Sequence, residues 1–134
     1  MTSESARHET LPCALTGTFR PWRYSVSHSE LEIRGVAAGG AVTRVLFFGV
    51  LGVQLKSVYS SLTLSSAGEV QRRRILTSSG VDPQTGRVHA VLLSADPEEG
   101  FVACLSFVVR THHGGGPVDR WGIPNGDSEL MVRS

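Results

Sequence analysis

Apolar and polar residues alternate along much of this chain with the period of two that a β-strand requires. Trp22 and Tyr24 alternate with polar residues, whereas Leu31 and Ile33 are apolar on the other parity. One inserted residue sends the side chains that follow it to the opposite face of a sheet. The change of parity therefore predicts a turn or a bulge around residues 27–29.

The segment from residue 43 to residue 59 is rich in Val, Leu and Phe on both parities. This composition predicts a strand that is buried on both faces, because a strand with one solvated face would alternate. Gly49 and Gly52 interrupt the run and predict a bend between two strands. A further short strand is predicted at residues 62–64.

Residues 88–111 predict a long hairpin. The run at 88–95 has β character, residues 96–100 contain Pro and Gly where a turn needs them, and residues 101–111 return. On the returning strand we expect one apolar face, which would carry Phe101, Ala103, Leu105, Phe107 and Val109.

Residues 66–80 leave three alternatives open, which are a short helix capped by Ser65 or Ser66, an edge strand, and a loop. Since no strand alternates with a long helix, we predict a mainly β fold with a single domain. The architecture would be an antiparallel sandwich or a partly closed barrel with at most one or two short helices. Residues 1–17 are predicted to be a flexible N-terminal lead-in, 18–111 the β domain and 112–134 a loop-rich C-terminal tail.

The charge balance argues against a nucleic-acid partner. The chain of 134 residues has 13 basic and 12 acidic residues, for a formal net charge of +1, whereas nucleic-acid binders carry a strong basic bias. All but one of the basic residues are arginines. Arginine is suited to bidentate recognition of carboxylate and phosphate groups.

The two cysteines, Cys13 and Cys104, do not form a dense disulfide framework, although a single disulfide between them stays open. Residues 1–10 lack the apolar segment of a secretory signal. The longest apolar run is far shorter than the about 20 residues that span a bilayer. We therefore predict a cytoplasmic protein with reduced thiols and no membrane partner.

No pattern of residues indicates catalysis, a metal or a cofactor, so we predict that the protein is not an enzyme. His112 and His113 are adjacent and would point to opposite faces of a strand, whereas zinc needs three or four converging ligands. Cys104 lies among apolar residues, which raise the pKa of a thiol and make it unreactive. No glycine-rich phosphate loop or nucleophile elbow occurs.

Three surfaces are candidates for binding a partner, and each also has a structural explanation. The run Arg72, Arg73 and Arg74 suits an acidic or phosphorylated group, or is simply solvated. Glu98 and Glu99 lie at the predicted hairpin tip, where carboxylates often keep a turn soluble. Trp121 lies in the tail and would be an interface anchor if exposed.

Two further features concern the first hairpin. Trp22 is predicted to be buried and to close the core. Glu30 and Glu32 alternate with apolar residues, so we expect them to form a solvated face or an acidic strip for a partner.

The segment from Trp22 to Ser29, the strand Leu31–Arg34 and the run Arg44–Phe48 with Val50 and Val53 resemble small bacterial β proteins. They also resemble bacterial immunity-type and pleckstrin-homology-like domains, which begin with a strand, a serine-rich turn and a strand ending in Arg. The resemblance implies a β fold but transfers no functional residue, and a C-terminal helix is missing from this sequence.

These observations favour a non-enzymatic protein-interaction module, with an immunity-like or assembly-adaptor role. The alternative is a small-ligand-binding β domain in which apolar side chains line the mouth of a barrel or sandwich. A small enzyme is a third and weaker hypothesis. A homo-oligomer is compatible with all three.

Overall fold

The structure, a computed structural model, describes residues 11–37, 39–94, 97–114, 119–120, 123 and 128–134. These residues form nine β-strands, one α-helix and one 3₁₀ turn. The strands are β1 (Cys13–Ser25), β2 (Glu30–Val36), β3 (Val42–Phe48), β4 (Gly52–Gln54), β5 (Tyr59–Ser66), β6 (His89–Leu92), β7 (Phe101–Cys104), β8 (Ser106–His112) and β9 (Ser128–Arg133). The helix α1 spans Glu69–Ser78, and the 3₁₀ turn spans Pro97–Glu99.

All nine strands form one antiparallel sheet in the order β4-β7-β6-β5-β1-β2-β3-β8-β9. The chain runs almost directly from β3 into β4 and from β7 into β8, so these two arms lie antiparallel to each other. Between the paired segments, Leu51 N donates to Ala103 O at 2.8 Å and Leu105 N donates to Phe48 O at 3.0 Å. This confirms the mainly β, antiparallel fold and the predicted bend between Gly49 and Gly52.

One face of the sheet, the inner face, encloses the main core. Buried residues from β1 at the centre to β7 and β9 near the two edges belong to a single apolar cluster, and Val53 of β4 packs against it. A flat sheet could not bring both edges together, because neighbouring strands lie about 4.8 Å apart. The sheet therefore curls around this cluster without closing, as a β-sandwich or partly closed barrel does.

The helix α1 covers the other face of β6 and β7. Ile75 and Leu76 are buried against Val88, Ala90, Leu92 and Ala103. Gly68 precedes the helix, and the Gln71 side chain accepts from Gly68 N at 3.2 Å, which satisfies a backbone donor at the helix start. Of the three alternatives for residues 66–80, the structure therefore has the short helix, with Gly68 rather than Ser65 or Ser66 as its N-cap residue.

Several sequence predictions need correction at the level of single elements. β1 begins at Cys13, inside the predicted lead-in, and β9 lies within the predicted loop-rich tail. The hairpin of β6 and β7 is confirmed, but its returning strand is broken at Leu105, which is 52 % exposed. Because of this break, Val102 and Cys104 share the inner cluster with Phe107 and Val109, so the single face predicted through Leu105 is wrong.

No helix in the described part of the chain is long and apolar enough to cross a membrane.

Candidate functional site

The three consecutive arginines have different environments. The guanidinium of Arg72 donates to the backbone carbonyls of Pro83 at 2.9 Å and Val88 at 3.1 Å, and it also donates to that of Thr85. Arg72 therefore holds the loop that follows α1. Arg73 and Arg74 are exposed on the helix.

The two acidic residues of the hairpin tip lie on the 3₁₀ turn. Glu99 forms an ion pair with Lys56, with Nζ at 2.8 Å from Oε1, and its backbone oxygen accepts from the Tyr59 hydroxyl at 2.8 Å. Glu98 lines an apolar groove of about 270 Å³ beside α1, and Arg74 lines the same groove. The fold thus brings two of the predicted residues to one groove, while Trp121 lies outside the described residues.

The strongest concentration of charge is elsewhere, on the outer face of the sheet. Strand register makes Arg20 the direct neighbour of Arg34, Arg34 the neighbour of Arg44, and Arg44 the neighbour of Arg110. These four residues, the arginine face, form one row across β1, β2, β3 and β8. Like charges opposite each other on a sheet are unfavourable, so this row needs a compensating negative charge.

Part of that charge comes from Glu32, whose alternation with apolar residues predicted an exposed position, either on a solvated face or in an acidic strip for a partner. The expectation is wrong, since Glu32 is only 3 % exposed. Its Oε2 accepts from Arg34 Nε at 2.8 Å and from Arg44 Nε at 3.0 Å, and its Oε1 accepts from Arg44 Nη2 at 3.2 Å. Burial alone would raise the pKa of Glu32, but the bonds and charges of both arginines lower it on balance, so the carboxylate is ionised at neutral pH.

A β-bulge opens a cavity beside this cluster. The pairing of β1 with β2 shifts between Pro21 and Arg23, so Trp22 is the inserted residue. Bulges commonly redirect a side chain in this way. The prediction that Trp22 is buried is wrong: it is 57 % exposed, and its ring lies against the Arg34 guanidinium, 4.2 Å from Cζ to the ring centroid.

The resulting cavity, the bulge pocket, has a volume of about 390 Å³. Asp119 and Ile123 line it and bond to each other, since Asp119 N donates to Ile123 O at 2.8 Å and Ile123 N donates to Asp119 Oδ1 at 3.0 Å. Three guanidinium groups and two carboxylates line the pocket, which gives it a surplus of positive charge. Its residues are Trp22, Arg23, Glu32, Arg34, Arg44, Asp119 and Ile123.

The two candidate histidines lie near one end of the arginine face. His112 is opposite Val42 in register, and its buried Nε2 has no hydrogen-bond partner among the residues that the structure describes. Burial lowers the pKa of His112, and the charges of the neighbouring arginines lower it further. His113 contacts the Glu129 carboxylate at 3.5 Å. Within the described ranges, no group of three or more His, Cys, Asp or Glu side chains is arranged to hold a metal ion.

Both cysteines are free thiols, and Cys104 is buried in the inner cluster. Burial raises the pKa of Cys104 to about 12, as its apolar neighbours in the sequence predicted. Burial also raises the pKa of Cys13. Neither thiol therefore has the depressed pKa of an activated nucleophile.

The arginine face could not be predicted from the sequence because its four members come from four separate strands. Each of them alone is an ordinary polar residue in an alternating strand. The sequence did hold one signal. Arg34 and Arg44 are the positions that pair across the hairpin of β2 and β3, and nearly all the basic residues of the chain are arginines. The β1 bulge and the return of β8 beside β3 were not visible in the alternation.

No protein-family model matches this chain, and neither the curated proteins nor the solved structures include one that is similar to it.

Proposed function

We propose that this protein is a non-enzymatic interaction module that binds an acidic segment of a partner protein on its arginine face. The observation that supports the proposal is the register of Arg20, Arg34, Arg44 and Arg110, which are direct neighbours across four strands. Complementary charge of this kind directs a partner to its orientation and speeds association. A partner's carboxylates would relieve the repulsion within the row.

The chemistry of this surface favours a protein over a nucleic acid. Glu32 and Asp119 lie among the arginines and would repel a continuous phosphate backbone. The chain as a whole carries a formal net charge of only +1, whereas nucleic-acid affinity depends on neutralising several phosphates at once. An acidic protein segment has separated carboxylates and places less negative charge beside Glu32.

The small-ligand alternative has weaker support. The inner face is filled by large side chains, with Phe19, Phe47 and Phe107 each at most 3 % exposed. The groove between Arg74 and Glu98 holds about 270 Å³, below the range of about 300–1,000 Å³ that is usual for ligand pockets. The bulge pocket, at about 390 Å³, is within that range, but most of the residues that line it are charged, whereas ligand pockets are lined mainly by apolar side chains. The geometry therefore favours binding of a partner over binding of a ligand in the interior.

The finer parts of the proposal follow from the sequence. The resemblance of the segments within residues 22–53 favours an immunity-like role, and an assembly-adaptor role fits the same non-enzymatic β module. A cytoplasmic location is consistent with both cysteines being free thiols, because thiols stay reduced in that compartment.

A matched pair of charge reversals tests the proposed surface. The variant Arg20→Glu/Arg110→Glu alters two members of the arginine face outside the bulge pocket. The control Arg73→Glu/Arg87→Glu alters two exposed arginines elsewhere and changes the net charge equally. The probe is a fluorescent peptide of alternating Glu and Ser, and affinity is read by fluorescence anisotropy at low and at physiological salt.

We expect the face variant to lose at least about tenfold in affinity and the control to stay within about threefold of wild type. Equal losses would mean that overall charge alone attracts the peptide. A larger loss in the control would move the surface to Arg73 and Arg87. A single-stranded oligonucleotide of equal charge that binds more tightly than the peptide would contradict the class of partner.

A further inference from the structure

The bulge pocket has a charge pattern of its own within the arginine face. Arg44 uses Nε and Nη2 to hold Glu32, and no residue in the described ranges accepts from its Nη1. Arg23 is exposed at the pocket and makes no hydrogen bond or ion pair with the described chain. The pocket therefore offers guanidinium donors, while the Glu32 carboxylate already accepts from two arginines.

We infer that the bulge pocket is a subsite that takes one carboxylate group of the bound segment, with Arg23 and Arg44 as its donors and Trp22 as its apolar wall. This inference rests on the proposed function. A planar carboxylate matches the fork of a guanidinium group, which can hold it through two parallel hydrogen bonds.

The acidic residues of the pocket select among anions. With three guanidinium groups against Glu32 and Asp119, the pocket has a surplus of about one positive charge, which a carboxylate neutralises. A phosphate monoester carries a charge of about −1.5 to −2 at neutral pH. It would put additional negative charge beside the buried Glu32, where repulsion is weakly screened. The subsite should therefore prefer carboxylate to phosphate.

Trp22 adds an apolar contact for the group that carries the carboxylate. Its ring rests on Arg34, which fixes its orientation, and more than half of its surface is open to a partner. Ile123 lines the pocket as well. An aliphatic stem entering between these groups would bury apolar surface away from water, which favours binding. Both a Glu side chain and the carboxyl-terminal residue of a partner have such a stem.

Four peptides that differ only at one central residue or at the C-terminus test the preference for a carboxylate. The parent peptide has one central Glu and a free C-terminus. In the others the Glu is replaced by phosphoserine, the Glu is replaced by Gln, or the C-terminus is amidated. Affinity is measured by calorimetry, and the emission of Trp22 is recorded in a Trp121→Phe background, since the chain has two tryptophans.

We expect the Glu peptide to bind at least about fivefold more tightly than the phosphoserine peptide and to shift the emission of Trp22. If the loss of affinity comes from Glu→Gln, the carboxylate belongs to a side chain, and if it comes from amidation, it belongs to the chain terminus. A phosphoserine peptide that binds as tightly as the Glu peptide, or a parent peptide whose affinity neither change lowers, would overturn the inference.

Variants of the protein separate this inference from the proposed function. Arg23→Gln removes a pocket donor, and its control Arg87→Gln removes an exposed arginine elsewhere. Urea unfolding confirms that both variants are folded. We expect only Arg23→Gln to weaken the Glu peptide, by at least about fivefold. If it does not, while Arg20→Glu/Arg110→Glu abolishes binding of the alternating peptide, the subsite is excluded and the proposed function stands. If neither variant alters binding, both are wrong.

Discussion

Strands β2 and β6 are both buried on two faces, but different chemistry buries them. In β6 the inward Val91 meets the main core, while Ala90 and Leu92 on the outer face meet the apolar side of α1. In β2, Leu31 and Ile33 face the same main core. The outer face of β2, however, carries Glu32 and Arg34, which are only 3 % and 7 % exposed.

The two outer faces differ in how much their burial contributes to the stability of the fold. Burying a Leu or Val side chain contributes about 1.5–3 kcal/mol, whereas a buried ion pair must first offset the loss of hydration of both charges. Replacing a buried ion pair by well-packed apolar residues is often neutral or stabilising, so the cluster on β2 is weak evidence for a stabilising role. Charged residues at these positions fit the proposed recognition role better than a stabilising one, and five predictions test the contrast between the two strands.

The largest expected effect is on the inner face. Phe19 of β1 is 1 % exposed, and its ring lies against Gly35 so closely that no side chain could replace that glycine without displacing it. We expect Phe19→Ala to lower the free energy of unfolding by about 3–5 kcal/mol, as measured by urea denaturation. The control is Trp22→Ala on the same strand, whose exposed ring should cost about 1 kcal/mol or less. Similar losses in both variants would contradict the assignment of the two faces.

The second effect concerns the charged cluster. Removing the carboxylate by Glu32→Ala leaves Arg34 and Arg44 side by side without their shared partner. We expect a loss of about 3 kcal/mol in the free energy of unfolding, again from urea denaturation. Because Arg44 is partly exposed, the loss should fall at the lower end of the range for buried ion pairs.

The counterpart replaces the whole cluster by apolar residues, as Glu32→Leu/Arg34→Met/Arg44→Leu. We expect this protein to be at least as stable as wild type, because burying apolar groups avoids the cost of removing charges from water. It should nevertheless fail to bind the acidic peptide. A strongly destabilised triple variant would mean that the cluster serves stability, and the contrast between β2 and β6 would lose its functional meaning.

The sequence predicted the inner face far better than the outer one. Alternation identified Leu31 and Ile33 because a strand's apolar parity is a local property. In β3 the apolar residues fill both parities, and the prediction that both faces are buried is wrong, since Val45 and Phe47 are buried while Leu46 and Phe48 are only partly so. The arginine face depends on which strands are neighbours, and the pairing of β3 with β8 joins Arg44 to Arg110, which lies more than 60 positions further along the chain. Local patterns carry no such information. Nor does alternation reveal the inserted residue Trp22 or the break at Leu105, each of which reversed a prediction about a face.

The fourth prediction concerns the pH dependence of the cluster. The pKa of Glu32 is lower in the folded protein than its ordinary value of 4.5, so the unfolded chain takes up this proton first as the pH falls. The stability that the Glu32 carboxylate contributes is therefore fully present above about pH 5 and decreases as the pH falls from there through the folded pKa.

The measurement compares wild type with Glu32→Gln by urea denaturation between pH 7 and pH 3. Taking the difference between the two proteins largely cancels the other titrating groups, including His112, whose pKa is also lowered. We expect a constant difference down to about pH 5 and a smaller one at each lower pH. A difference that instead begins to shrink near pH 6.5 would assign the effect to a histidine.

The smallest expected effect comes from an ion pair of the same chemistry on the surface. Lys56 Nζ lies 2.8 Å from Glu99 Oε1, as short as the contacts of Glu32, but both side chains are more than two-fifths exposed. Water and salt screen such a pair, and holding two long side chains in one geometry offsets much of the attraction. We expect the urea midpoint of Glu99→Gln to coincide with that of wild type at physiological salt, while Glu32→Gln is clearly shifted. Because the two substitutions remove the same charge, equal shifts would mean that burial is not what distinguishes the Glu32 cluster. Unequal shifts would mean that burial makes the Glu32 carboxylate contribute more to stability than an exposed carboxylate does. The buried carboxylate lies on β2, where a partner's carboxylate is proposed to bind.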